Sequence, residues 1–390
     1  MLAKLQTLLK NVGDLERTIS RITKGATNSF SNKPRLTPKE VHTMALGIDT
    51  VPQIIEVLSQ ANTTNRETIN TLISGLKPLT ELVNKIKEAL LVETSTTFGT
   101  GQIFKPKYNI ELDQYIFAHQ SARNWIEQYQ NNERNATSIP SLKVCFNNVF
   151  GYYIEVTKTH TSKTPPHYER KQTTTNTERY TTTELKKFEE QILGAERRIL
   201  ELELQLFNDL LNAIVTNIPH IQANSQAIAV IDVLQSFADV SISNNYVRPH
   251  IDDSTTIDIK DGRHPVVETI LGISEPYTPN STYLNTNEQQ IHLITGPNMA
   301  GKSCYLRQVA LIIFMGQIGC FVPAKEATFG IVDRIFTRVG ASDNISAGES
   351  TFMIEMSETA YILNNATERS LIILDEVGRG TAASDGISLA

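Results

Sequence analysis

Residues 292–303 read HLITGPNMAGKS, and the run KSCYLRQVALIIFMGQIG follows from 302. An apolar β-type run, a loop bracketed by glycines, and an apolar helical run occur in that order. The loop has the Walker A form G-x-x-x-x-G-K-[ST], from Gly296 to Ser303. Such a sequence leaves few folds open, because strand, tight turn and helix must succeed one another without a spacer. Gly296 and Gly301 permit the turn, so that successive backbone amides converge on an anion at the helix start. Lys302 is then placed to reach the β- and γ-phosphates of a nucleotide, and Ser303 to set its hydroxyl on Mg²⁺. Downstream, LIILDE runs four aliphatic residues into Asp375 and Glu376. At a strand end, Asp375 can hold magnesium through water and Glu376 can polarise the attacking water. The two halves together predict nucleotide hydrolysis.

The β-rich runs STTIDIKDGRHPVVETI, QQIHLITGPNMAGKS and LIILDE alternate with helical ones after residue 247. That alternation predicts an α/β domain with a buried sheet. The preceding chain is different. LQTLLKNVGDLERTISRI places Leu5, Leu8, Leu9, Val12, Leu15 and Ile19 on one helical face, and further helical runs follow to about residue 104. These read as a helical scaffold.

Two later runs carry a heptad rhythm. Leu112, Tyr115, His119, Ala122, Ile126 and Tyr129 form one seam; Leu185, Phe188, Ile192, Ala195, Ile199, Leu202 and Leu206 form another. Each seam is built for one partner helix. Either they pair as an antiparallel arm, or they belong separately to one bundle. Thr181 with Glu184 is expected to cap the second helix. Between the seams, SLKVCFNNVFGYYIEVT alternates as a β-hairpin turning at NNVFG, with one more strand expected near YERKQT.

Over 131–181 there are seven Lys or Arg against four Glu and no Asp, in a chain of formal net charge −6. The overall charge excludes a uniformly basic nucleic-acid binder. The local excess admits a patch: Lys158, Lys163, Arg170, Lys171 and Arg179, beside threonine hydroxyls, suit phosphates without reading sequence. A solvated loop with no partner is the competing reading. The three cysteines, Cys145, Cys304 and Cys320, have no metal-ligand spacing and point to a reducing compartment. No secretory leader is recognisable at the start, and ALIIFMGQIGCFV (310–322) reads as a core helix rather than a membrane span.

The motifs TGPNMAGKS, DRIFTRVGASDNISAGESTFMIEM, ILDEVGRGT and DGISLA resemble the ATPase domain of the MutS family of DNA mismatch repair. GRHPVVE resembles the entry to that domain. VGDLERTISRI resembles the family's core, YNIELDQ the start of its arm, and FGYYIEVTK, YERKQT and ERYTTTELKKFE its clamp. The resemblance implies a multidomain α and α/β chain. It would have a helical core and lever (1–123 and 187–247), a clamp with a β tip (124–186), and a P-loop ABC-type ATPase domain (248–390).

The resemblance further implies that Gly296, Pro297, Asn298, Met299, Ala300, Gly301, Lys302, Ser303 and Cys304 hold ATP. Tyr277 would lie against the adenine. Ser350 would reach ATP in trans across a dimer, although the residues alone fit an ordinary helix cap equally well. Lys302 and Glu376 would be catalytic, and Ser303 and Asp375 would hold Mg²⁺. The implied partners are mismatched double-stranded DNA, an identical or paralogous subunit, and a downstream repair factor of MutL type, with no membrane. The implied location is cytoplasmic in bacteria or nuclear in eukaryotes. A clamp on recombination junctions that does not read mismatches is the alternative. Departures from the family pattern are Cys304 in place of a usual Thr, and TAASDG where TSTYDG is usual. The family's mismatch-reading and connector segments, and its C-terminal switch and dimerisation segments, are expected to lie beyond the two ends of this sequence.

Overall fold

A computed structural model describes residues 1–26, 36–61, 66–147, 149, 151–271, 276–297, 299–339, 351–378, 386 and 388. Leu2 aside, the chain divides between Ala229 and Val230 into two compact units.

Among the described residues the first unit opens with six helices: α1 (Leu2–Leu9), α2 (Leu15–Ala26), α3 (Pro38–Ile48), α4 (Val51–Ser59), α5 (Arg66–Gly75) and α6 (Thr80–Ala89). From α1 into α2 the expected apolar face is largely the buried one: Leu5, Leu8, Val12, Leu15 and Ile19 are in the core, while Leu9 is only half-buried. Thr37 and Glu40 close a reciprocal capping box ahead of Pro38, which fixes where α3 starts.

The two seams form an arm. Helix α7 (Ile110–Thr137) and helix α8 (Thr183–Thr216) run antiparallel. Arg198 donates to Glu111 at one end (3.0 Å), and the Tyr129 and Thr182 hydroxyls meet at the other (2.8 Å). Between those ends the rings of Trp125 and Phe188 stack, and Ile126 and Ile192 are buried. Burial pushes the Tyr129 phenol up to about 12.

Past Leu202 the buried positions on α8 become Glu203, Phe207, Leu210 and Ile214, and Leu206 is only half-buried. The register slips because α7 begins at Ile110 and offers no partner there. Instead Phe207 packs edge-on against Phe98, and the Glu203 carboxylate accepts from the Gly99 amide at 2.5 Å. Burial raises the Glu203 carboxyl above its usual range, and loop amides oppose that rise.

The cap of α8 differs from expectation. Thr182, not Thr181, accepts from the Leu185 amide at 3.1 Å. Thr181 is taken into a strand ladder opposite Glu169, so Thr182 is the residue left extended before the helix. The residue three positions past Thr182 is Leu185, so the reciprocal carboxylate of a capping box is lacking.

The arm's tip is an antiparallel sheet of four strands in the order β1-β2-β4-β3. These are β1 (Lys143–Asn147), β2 (Gly151–Thr157), β3 (Glu169–Thr173) and β4 (Thr177–Thr181). The expected hairpin is β1–β2, and the single further strand is in fact a second hairpin. Ile154, Val156 and Tyr180 pack on Tyr129, Ile139, Leu142 and Leu185, so one sheet face is closed by the arm itself.

Helix α9 (Ile218–Ser243) crosses the division between the units. By length and apolarity it is the one described helix that could cross a membrane. Its Asn224 is fully buried, accepting from the Lys77 amide (2.6 Å) and donating to the Lys77 carbonyl (2.8 Å).

The second unit holds β5 (His250–Asp252), β6 (Ile257–Gly262), α10 (Pro265–Leu271), β7 (Asn280–Leu284), α11 (Lys302–Gln317), β8 (Glu326–Gly330), β9 (Arg334–Val339), α12 (Thr351–Asn365) and β10 (Ser370–Asp375). Strands β5, β8, β6 and β7 make a mixed sheet in that order, and β9 and β10 pair separately in parallel. Helix α11 buries Val309, Ile312 and Ile313 in one core with Ile259 and Phe329 of the first sheet and Leu371 and Ile373 of the second. The strand expected at 291–295 does not form: Ile291 and Leu293 are almost wholly exposed. A strand needs a ladder partner, and this segment pairs with none among the described residues.

Candidate functional site

The loop before α11 turns at two residues, one a glycine and one not. Met299 and Gly301 take left-handed backbone angles, φ 62° and 90°. Gly301 stands at the N-cap of α11 and brings no side-chain acceptor to the helix amides. The first turn of α11 therefore presents donors that no capping side chain consumes, the arrangement that draws an anion. The Lys302 ammonium bends back over the loop and donates to the carbonyls of Gly296 (2.7 Å) and Pro297 (3.0 Å). It thus sits across the loop. Ser303 and Cys304 follow in the first turn, half-buried. Pro297 and Ala300 complete the described part of the loop, and Asn298 lies outside the described residues.

Tyr277 reaches the same helix. Its hydroxyl donates to Gln308 Oε1 at 2.8 Å and lies 3.6 Å from Cys304 Sγ. Gln308 is fully buried and donates in turn to the Asn280 carbonyl at 3.5 Å. Burial first, and Cys304 next, push the Tyr277 phenol well above its usual range, so it stays protonated as a donor.

Asp375 ends β10, and Glu376 follows with φ 58°. Leu371 and Ile373 of the same strand share a core with Val309 and Ile312 of α11. The strand bearing the acids and the helix opened by the loop are therefore packed together. Spacing alone does not reveal Glu355 of α12, a buried carboxylate that accepts from the Gly378 amide at 2.5 Å. One signal is available: an acid within the apolar run TFMIEM of an otherwise amphipathic helix. Ser350 lies outside the described residues. Among the described residues no group of three or more His, Cys, Asp or Glu converges on a metal position.

At the arm's tip, Lys158 and Lys163 stand at the two ends of a short 3-10 turn, Lys158–Lys163, both exposed. Arg170 and Lys171 are exposed on β3. Arg170 Nε donates to the Thr173 hydroxyl at 2.9 Å, and its guanidinium lies 3.9 Å from Glu178. Arg179 is different. It donates to Gln172 (2.8 Å), faces Glu155 (3.6 Å) and stacks over the Tyr153 ring (4.6 Å). Its charge is already matched within the sheet.

Two segments of the chain match known family models. The profile described as MutS family domain IV matches residues 107–198, and that of MutS domain V matches residues 292–390. The chain belongs to the MutS family. Among curated members, it is similar to the DNA mismatch repair protein MutS of Parabacteroides distasonis, 48% identical over 386 residues, covering 99% of this chain and 43% of that protein. The protein of the same name from Acetivibrio thermocellus is 46% identical over 389 residues, with 100% and 43% covered. That of Flavobacterium psychrophilum is 46% identical over 390 residues, with 100% and 44% covered. The chain thus spans less than half the length of the MutS relatives it matches.

Proposed function

We propose that this chain is the core, clamp and nucleotide-hydrolysing part of a DNA mismatch repair ATPase of MutS type. One observation carries the reading. A glycine loop with Lys302 folded across it opens α11, and α11 is packed against the strand that ends in Asp375 and Glu376. The fold is accordingly assigned as a P-loop ATPase domain over 248–390, with the helical core and lever at 1–123 and 187–247 and the clamp at 124–186. The name its relatives carry supports mismatch repair over the junction-clamp alternative.

In this reading Lys302 exchanges its loop carbonyls for the phosphates of ATP, and the α11 amides hold those phosphates by direct donation. Ser303 and Asp375 supply a hydroxyl and a carboxylate, hard oxygen donors that fit a Mg²⁺ otherwise ligated by water and phosphate. Bound magnesium would neutralise charge on the phosphates. Glu376 orients the attacking water and takes its proton. Tyr277 stands by the adenine, and Ser350 reaches the nucleotide of a second subunit, identical or paralogous. The tip lysines and Arg170 grip the backbone of mismatched duplex DNA, and ATP turnover times that grip and the recruitment of a MutL-type factor. The relatives are bacterial, which fits a cytoplasmic protein.

The test is Glu376→Ala in the full-length protein. ATP binding is expected to persist while turnover falls by about a hundredfold or more, the size of loss typical for a group acting in the transition state. Unchanged turnover rejects Glu376 as the hydrolytic acid.

A further inference from the structure

Two glutamates are buried among the described residues, Glu203 and Glu355. Glu203 braces α8 to the loop at Gly99 in the first unit. Glu355 is only 3% exposed, and its Oε1 accepts from the Gly378 amide at 2.5 Å, two residues past Glu376. A buried carboxylate is retained only where it is bonded, and a charge-assisted bond to an amide is among the strong ones.

The turn it holds is a constrained one. Glu376 has φ 58° and Gly378 φ 84°. A non-glycine residue in the left-handed region must be held there by its surroundings. Gly378 also approaches Gly386 so closely that a Cβ on it would lie 2.8 Å from the Gly386 Cα. No side chain fits, so the turn is positioned through its backbone, and Glu355 grips that backbone.

The same face of α12 makes a second tie. Glu358, three residues on, pairs with Arg338 at 3.0 Å. Arg338 lies on β9 directly opposite Leu374, the residue before Asp375. Helix α12 is thus fastened on both sides of the acidic pair, at the level of Leu374 and at Gly378.

We propose that Glu355 is a positioning residue for Glu376, setting the hydrolytic carboxylate through the Gly378 amide. The inference rests on the reading of Glu376 as the hydrolytic acid. A displacement of about 1 Å in a positioned group can cost on the order of a hundredfold in rate. Glu355 therefore acts on kcat and leaves the nucleotide-binding loop alone.

The experiment uses the full-length protein with Glu355→Leu, Glu355→Gln and Glu376→Ala, measuring ATP turnover, equilibrium ATP binding, melting temperature and hydrogen exchange of the Gly378 amide. Glu355→Leu is expected to lower kcat by about tenfold to a hundredfold, with ATP affinity changed by less than about threefold. Gly378 is expected to lose its exchange protection in that variant. Glu355→Gln keeps an oxygen acceptor and is expected to restore both turnover and protection. If Glu355→Leu turns over normally while Glu376→Ala is inactive, the positioning role is overturned and the hydrolytic reading survives. If turnover, affinity and melting temperature fall in parallel and Gln does not rescue, Glu355 is merely structural and the proposal is overturned. Normal turnover in Glu376→Ala instead removes the hydrolytic reading itself. Should Glu355→Leu not fold, Glu355→Asp, one methylene shorter, carries the test: full turnover with an unprotected Gly378 overturns the proposal.

Discussion

His264 shows how one side chain couples structure to pH. It precedes α10, and its Nδ1 accepts from the amides of Val266 and Val267, both at 3.3 Å. Only the unprotonated nitrogen can do so. Burial holds its pKa below the usual histidine value, and the nearby charge of Arg307 adds to the effect. The folded form therefore binds the proton less readily than the unfolded chain. The stabilisation is complete above the unfolded pKa of about 6.5 and is lost as pH falls toward the folded value. Urea unfolding between pH 7.5 and 5.5 is expected to show stability falling with pH, by about 1 kcal/mol at most for this cap. His264→Asn keeps an acceptor without titrating and should flatten that dependence; an unchanged slope rejects the role. At this scale, positions set by spacing were legible. Gly296 to Ser303 and Asp375–Glu376 announce themselves because a loop opening a helix and the end of a strand are both written locally. Glu355 did not, because its partner is a backbone amide 23 residues downstream, and no pattern of side chains encodes that bond.

Elements were legible where their partner is local or repeated. The two seams specify a helix pair because each residue of a heptad repeat demands the same neighbour, and α7 and α8 supply it. The slip past Leu202 was not legible, since it depends on where α7 starts and on Phe98 arriving from another segment. The strand expected at 291–295 has apolar β-forming residues, but periodicity cannot say whether a ladder partner exists. The cap of α8 gives the clearest test. Thr182→Ala removes the bond to the Leu185 amide and the one to Tyr129, and should cost about 1–2 kcal/mol in urea denaturation. The Thr181 hydroxyl is buried with no hydrogen-bond partner. Thr181→Val should therefore be neutral or stabilising, because it removes a desolvated polar atom at constant shape. Equal losses at the two positions would put the cap back at Thr181.

The molecule as a whole sets charge against task. A chain of net −6 can favour a polyanion only where exposed cations cluster, and Lys158, Lys163, Arg170 and Lys171 are all exposed at the arm's tip. Yet the basic residues there are not equivalent. Lys158 and Lys163 stand exposed at the ends of one turn, whereas Arg179 is matched by Gln172, Glu155 and the Tyr153 ring. Composition counts all of them alike, so the sequence could name the patch but not rank its members. The ranking makes a prediction. In the full-length protein, Lys158→Glu with Lys163→Glu should weaken duplex binding and flatten the slope of log affinity against log salt. The change should be about 0.9 for each phosphate no longer neutralised, roughly 1.8 for the pair. Arg179→Ala should leave that slope within error and act instead through the sheet, because its charge is engaged by internal partners. Filter binding or fluorescence anisotropy across a salt series reads both variants at once. A slope that changes with Arg179 and not with the lysines would mean that the grip lies on the outer face of the sheet rather than at the turn.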